Sequence, residues 1–124
     1  MKVLIFGHGH LASLLREYFS EAVVSQCDVR SLKEVETEVK KYKPEICFNT
    51  ASKTSLEWCE ENELEAFNIN ALGAYNIYKA CRESDTFLCH FSTGCLFQSS
   101  PSKPVYAEDD KPNPKSFYSH TKVW

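Results

Sequence analysis

Tyr118 and Lys122 stand four residues apart, a spacing that puts both side chains on one face of a helix. A free tyrosine titrates near pH ~10, too high to exchange protons readily at neutral pH. A cation held beside it favours the phenolate and moves the pKa towards the working range. On spacing alone the pair also reads as an ordinary i,i+4 contact on a helix surface. Ser92 and Thr93 follow the apolar run Phe87-Leu88-Cys89-His90-Phe91, which has the character of a strand. The carboxyl end of a strand is where open α/β sheets receive ligands, and a hydroxyl there hydrogen-bonds a substrate carbonyl oxygen. Taken together, these residues suit acid–base chemistry at a carbonyl group.

Near the amino terminus, Gly7-His8-Gly9-His10-Leu11-Ala12 forms a GxGxxA pattern between the apolar run Val3-Leu4-Ile5-Phe6 and a helical repeat at Leu11, Leu14, Leu15 and Tyr18. In that setting Gly7 permits a tight turn, Gly9 lets the backbone approach a pyrophosphate, and Ala12 allows close helix–strand packing. The amides of His10 and Leu11, at the helix start, then face the phosphates of a dinucleotide. Asp28 lies about 20 residues further on, where an acid often reads the adenosine ribose or its ring. It reads equally well as a cap or turn residue ahead of Ser31. His8 and His10 lack a further ligand cluster, so they are read as loop histidines beside the phosphates, and no metal is expected.

The elements that must position these groups alternate. Strands are expected near residues 2–6, 22–27, 45–49 and 86–91, forming a four-stranded parallel sheet in the order 2-1-3-4. Ser31 and Glu34 make a capping box for a helix with Leu32, Val35, Val39 and Tyr42 on its apolar face, and Pro44 closes it. A further helix is expected over 64–81, with its seam at Phe67, Ala71, Ala74, Tyr78 and Cys81. Gly73 inside it costs about 1 kcal/mol relative to alanine, which points to close contact with a neighbouring element. The stretch from Gly94 to Ser116 carries four prolines and an acidic cluster, and reads as a functional loop or a disordered connection. A helix begins near Phe117.

The chain has 124 residues, 43% of them hydrophobic, which fits one compact domain. With 14 basic against 17 acidic residues and no basic stripe, nucleic acid is not an expected partner. No apolar run approaches the ~20 residues of a membrane span. Lys2 leads at once into a strand and the glycine turn, so no signal peptide is expected. The six cysteines show no CxxC pairing and suit a reducing cytosol.

Beyond these motifs, the sequence resembles the extended short-chain dehydrogenase/reductases, and among them the dTDP-4-dehydrorhamnose reductases and nucleotide-rhamnose epimerase/reductases. The resemblance runs through Cys27-Asp28-Val29, Lys43 to Ala51, Glu57-Trp58-Cys59-Glu60 and Asn68 to Gly73. It is most specific in Ser92-Thr93-Gly94-Cys95-Leu96-Phe97, Glu108 to Asn113, and Ser116 to Lys122. It implies an α/β fold, a Rossmann-type doubly wound sheet in which residues 1–124 are one NAD(P)-binding domain. Thr93 would orient a sugar ketone, Tyr118 would donate the proton, and Lys122 would lower the tyrosine pKa and hold the nicotinamide ribose. Gly7, Gly9, His10, Leu11, Asp28, Val29, Ala51, Ser52 and Lys53 would line NADP or NAD. The implied reaction is reduction of a nucleotide-linked 4-keto-6-deoxy sugar, in dTDP- or UDP-rhamnose formation; a homodimer is one assembly it admits.

Three departures stand out. His10 and Ser13 occupy places where the family's usual GxxGxxG turn has its later glycines. One of the family's two strands between the first helix and Asp28 has no counterpart. The chain stops soon after Lys122, so a truncated enzyme is expected, with the YxxxK helix poorly packed and little activity from these residues alone. A non-catalytic NAD(P)-binding or regulatory module is the alternative, as is an epimerase or dehydratase of the same superfamily.

Overall fold

A computed structural model describes all of residues 1–124. Four strands, β1 (Val3–Phe6), β2 (Val23–Ser25), β3 (Ile46–Asn49) and β4 (Phe87–His90), form one parallel sheet in the order β2-β1-β3-β4. The expected strands and their order are therefore present, and a single strand, β2, fills the span where one was missing. Helices α1 (His10–Tyr18), α2 (Leu32–Tyr42), α3 (Leu56–Glu61), α4 (Glu63–Phe67), α5 (Gly73–Glu83) and α6 (Phe117–Val123) complete the fold. This is the doubly wound α/β arrangement that the alternating elements imply. No helix is long and apolar enough to cross a membrane.

Strand alternation builds the two layers. Leu4, Phe6 and Cys47 point to one face, where Val35 and Val39 of α2 and Ile77, Ala80 and Cys81 of α5 bury against them. Val3 and Ile5 point to the other, where Ala12 of α1 packs with Leu15, Phe19, Val24 and Phe48 around it. Ala12 is thus the small residue that lets α1 lie close to β1. The buried side of α1 is Ala12, flanked by half-buried Leu11 and Leu15; Leu14 and Tyr18, expected in the seam, are exposed.

The long helix expected over 64–81 is broken into α4, a π-helical turn (Asn68–Leu72) and α5. A π turn inserts extra backbone and rotates the helix face. Its buried side runs through Ala66, Asn70, Ala71, Gly73, Asn76, Ile77, Ala80 and Cys81; Ala71 and Cys81 of the expected seam are thus buried, while Phe67 and Tyr78 face outwards. Gly73 behaves as its cost suggested: a Cβ there would lie 2.7 Å from Val29 Cγ2. Helix α3, capped by Ser55, has too short an apolar repeat to be read from sequence. β4 hydrogen-bonds only to β3, the edge position that the expected order gives it, and Phe87 on it is 68% exposed. The capping box at α2 is half formed: Ser31 Oγ accepts from the Glu34 amide, but the Glu34 carboxylate accepts from Asp28 N instead.

The stretch from Gly94 to Ser116 is folded on itself. Phe97 and Tyr106 stack at 5.0 Å, the Tyr106 hydroxyl donates to Gln98 O at 2.8 Å, and Asn113 Oδ1 accepts from Gln98 N at 2.8 Å. It is a structured loop, not a disordered connection.

Candidate functional site

The Gly-rich turn, the loop after β3, the end of β4 and the face of α6 meet around a cleft of about 420 Å³. It lies at the carboxyl ends of β1, β3 and β4, where the doubly wound topology predicts a ligand. Gly7, Gly9, His10 and Leu11 form one wall, with Ala51 and Ser52 beside them; Ser92, Tyr118 and Lys122 form the other. No carboxylate lines it, so its fixed charge is the Lys122 ammonium and the positive end of α1.

Each wall follows from local sequence. Gly7 has φ +109°, a conformation closed to L side chains, and the turn folds back until a Cβ there would stand 2.5 Å from Thr50 Oγ1 and 2.7 Å from Ala51 N. Thr50 secures that approach, its amide and hydroxyl both donating to Phe6 O at 2.8 Å. Gly9 caps α1 in extended conformation, and a Cβ there would meet nothing within 4 Å. Its missing side chain leaves open the space in front of the first-turn amides, and that turn holds no acidic residue. A pyrophosphate fits this cradle.

On the opposite wall, Ser116 caps α6 by accepting from Ser119 N at 3.1 Å. The helix is well packed, contrary to the expectation that it would hang loosely. Tyr118 is 8% exposed against Cys59 and Ala66, and Ser119 and Thr121 are each 1% exposed. What sequence reasoning missed is the anchor, Asn70. Its Nδ2 donates to Thr121 Oγ1 at 3.0 Å and to Lys53 O at 2.9 Å, and its Oδ1 accepts from Lys53 N at 2.7 Å and Ser52 Oγ at 3.1 Å. One amide inside the π turn thereby ties the loop after β3 to the helix carrying Tyr118 and Lys122. The signal was an asparagine pair flanking Ile69, read only as part of a helix.

Lys122 Nζ donates to Phe91 O at 2.9 Å, and burial pushes its amine below the usual lysine range. The Tyr118 hydroxyl makes no hydrogen bond within the protein and opens onto the cleft. Of the hydroxyl pair, Ser92 lines the cleft, while Thr93 Oγ1 accepts from Cys95 N at 3.2 Å and caps the turn Gly94–Leu96. Lys53 contributes its backbone to Asn70 and lays its ammonium over the Trp58 ring, away from the cleft. Asp28 and Val29 are not brought there either. The Asp28 carboxylate is held by Arg30, at 2.6 Å from Nη2, which also engages Glu65; this pairing holds the carboxyl below its usual range. Val29 is a core residue under Gly73, and its carbonyl accepts from Asn76 Nδ2 at 3.0 Å. The turn reading of Asp28 is the one its geometry supports.

Beside the cleft, Asn49 and His90 are register partners on β3 and β4, with Asn49 Nδ2 3.0 Å from His90 Nδ1. Burial, and then the charge of Lys122, push His90 below the usual imidazole range. An unfolded histidine takes up its proton near pH ~6.5, before the folded one does, so the unfolded state binds more protons there. Stability is accordingly expected to fall as pH drops below that point and to level off beneath the folded pKa. Urea midpoints at pH 7.5 and 5.5 measure this; a His90→Gln variant should lose much of the difference. A variant with the full parental difference would disprove this role for His90.

Comparison with known proteins extends these observations. A family described as the RmlD substrate binding domain matches residues 1–124. A trifunctional UDP-glucose 4,6-dehydratase/UDP-4-keto-6-deoxy-D-glucose 3,5-epimerase/UDP-4-keto-L-rhamnose reductase of Arabidopsis thaliana is 35% identical over 95 residues, covering 69% of this chain and 14% of that protein. A dTDP-4-dehydrorhamnose reductase of Mycolicibacterium smegmatis is 31% identical over 101 residues, covering 80% and 30%. Among solved structures, the dTDP-4-dehydrorhamnose reductase of Bacillus anthracis in complex with NADP superposes with a TM-score of 0.88 at 27% identity, covering 98% of this chain and 46% of that one. The chain thus spans less than half the length of these relatives.

Proposed function

The chain belongs to the RmlD substrate binding domain family, and from that premise we propose that it is the cofactor-binding and proton-donating part of an NAD(P)H-dependent reductase acting on a nucleotide-linked 4-keto-6-deoxy sugar. The assignment is to the extended short-chain dehydrogenase/reductase type, working in the cytosol, with a homodimer as the assembly to seek. One observation carries the reading: the Gly-rich turn and the Tyr118–Lys122 pair open into the same carboxylate-free cleft. The names of its relatives supply the substrate class.

In this reading Gly9 and the first-turn amides of α1 hold the pyrophosphate, and Ala51 and Ser52 flank the dinucleotide. A nicotinamide held there would supply the hydride for the sugar ketone. Tyr118 donates its phenolic proton to the oxygen that gains charge. Lys122 stabilises the phenolate left behind, its ammonium held in place by Phe91 O. Ser92 and Thr93 flank the carbonyl; if Thr93 is the orienting hydroxyl, it can bond the ketone through its proton while still accepting from Cys95 N. Asn70 is a positioning residue, since it touches only protein groups.

Absorbance of NADPH, followed with a 4-keto-6-deoxy nucleotide sugar and a polypeptide that carries these residues together with its sugar-binding segments, tests the proposal. Tyr118→Phe should lower kcat about 10²–10⁴-fold, the range for a positioned acid, while NADPH affinity stays within about twofold. Turnover within tenfold of the parent would refute the role given to Tyr118. The 124-residue chain by itself should turn over far below ~10 per second, since remote substrate contacts set the reactive pose.

A further inference from the structure

Beneath the loop that carries Ala51 and Ser52, two side chains form a relay with a fixed direction. Ala51 N donates to Asn49 Oδ1 at 3.0 Å. A backbone amide can only donate, so that contact identifies the oxygen end of the Asn49 amide and leaves Nδ2 for His90, 3.0 Å from its Nδ1. Nδ2 can only donate as well. His90 Nδ1 is therefore the acceptor, and the ring is neutral with its proton on Nε2.

The ends of the relay lie in different surroundings. At one end the Ala51 amide sits against the Gly-rich turn, where a Cβ on Gly7 would come within 2.7 Å of it, and Ala51 lines the main cleft. Asn49, in the middle, is 1% exposed. At the other end His90 borders a second hollow of about 330 Å³ that is open to solvent, so a proton can reach the ring. Facing it there are Tyr75 and Tyr78 from α5, Thr121 and Lys122 from α6, and Asn70 from the π turn. No carboxylate lines this hollow, and Lys122 borders it and the cleft alike. A proton arriving at Nδ1 thus meets no anion, only the Asn49 amide.

We infer that His90 is a positioning residue: as a neutral imidazole it holds the Ala51 amide in the cleft through Asn49, and proton uptake at Nδ1 releases that amide. A protonated Nδ1 faces the Nδ2 donor, so the bond between them is lost. Turning the ring would leave Nδ2 buried with nothing to donate to. Turning the Asn49 amide gives the imidazolium a charge-assisted bond to Oδ1 and leaves Ala51 N facing Nδ2, donor against donor. The wall that Ala51 builds beside Gly7 is then no longer held, and dinucleotide binding is confined to the neutral form. The inference rests on the dinucleotide reading of the main cleft and adds a pH dependence to it.

Nitrogen-15 spectra of the protein without nucleotide, recorded from pH 7.5 downwards, test the relay itself. His90 should carry its proton on Nε2 at pH 7.5, and the Ala51 amide shift should move with the midpoint of the His90 ring. Calorimetric titration with oxidised NADP, which tolerates acid, reads the consequence. With only the neutral form competent, affinity should fall about tenfold for each pH unit below that midpoint. His90→Asn places an amide oxygen where Nδ1 stands and cannot titrate, so it should lack this fall. His8 and His10, which also line the cleft, titrate in both proteins and cancel. The spectra need no variant, so they decide the relay even if His90→Asn fails to fold. A ring protonated on Nδ1 at pH 7.5, an Ala51 shift indifferent to the His90 midpoint, or one pH dependence shared by parent and variant overturns the inference alone. If neither protein binds the dinucleotide at any pH, the cofactor reading is overturned, and this inference with it.

Discussion

Gly7→Ala is expected to destabilise the protein by about 3 kcal/mol or more, although it adds a single methyl group. Two costs combine. The backbone at φ +109° lies where an L side chain is strained by ~1–3 kcal/mol. The new Cβ would also stand 2.7 Å from Ala51 N and 2.8 Å from the Thr50 carbonyl carbon. Those are backbone atoms, held by the two Thr50 bonds to Phe6 O, and they cannot rotate away. Gly9→Ala is the internal control, because its Cβ would point into open space at φ −80°. Chemical denaturation of both variants should show a large loss for the first and a change within about 0.5 kcal/mol for the second. Similar losses at the two sites would contradict this account of the turn.

Asn70→Leu should cost a comparable amount, about 2–4 kcal/mol, by a different route. Leucine has nearly the right volume, so packing survives while four hydrogen bonds go. Thr121 keeps its bond to Tyr118 O, and Lys53 O keeps the Cys59 thiol at 3.4 Å, but the Lys53 amide is left without a partner. An unpaired amide donor in this half-buried loop costs about 1 kcal/mol, and the loss of the remaining bonds adds to it. The consequence should be local before it is global: amides of α6 should exchange faster at native conditions, while those of β1 and β3 follow the overall stability. Hydrogen exchange and a denaturation curve together decide it. A stability loss below ~1 kcal/mol with α6 still protected would mean that Asn70 does not anchor that helix.

The sheet was legible because its strands are short apolar runs punctuated by glycine and proline. Val3-Leu4-Ile5-Phe6 before Gly7, and Ile46-Cys47-Phe48 after Pro44, admit few alternatives. The long-range consequences of a local irregularity were not legible. Nothing in Asn68 to Leu72 announces a π turn, and that turn moved Phe67 and Tyr78 out of the expected seam and Asn70 into the core. Nor does the apolar run of β4 show by itself that Phe87 is exposed. An apolar run specifies a strand, whereas its neighbours decide whether it is central or at an edge.

Site residues divided in the same way. Gly7, Gly9, His10, Leu11, Ala51, Ser52, Tyr118 and Lys122 converge on one cleft because each lies beside the carboxyl end of a strand. Asp28 was chosen by its distance from the glycines, and distance along the chain does not specify the side to which a carboxylate turns. Arg30 settles that, an effect of local ion pairing that the spacing rule does not include.

The roles given to the cleft residues all require a dinucleotide to lie across the Gly-rich turn. Titration of the protein with NADPH, in parallel with Gly9→Val, tests this most directly. A Cβ at Gly9 meets no protein atom within 4 Å, so the variant should melt with the parent, yet its side chain would occupy the space in front of the α1 amides. Saturable binding to the parent and affinity at least ~10-fold weaker in an equally stable Gly9→Val, the cost of about 1.4 kcal/mol of lost phosphate contact, is the result predicted. Binding of NADPH to the variant as tightly as to the parent would contradict it.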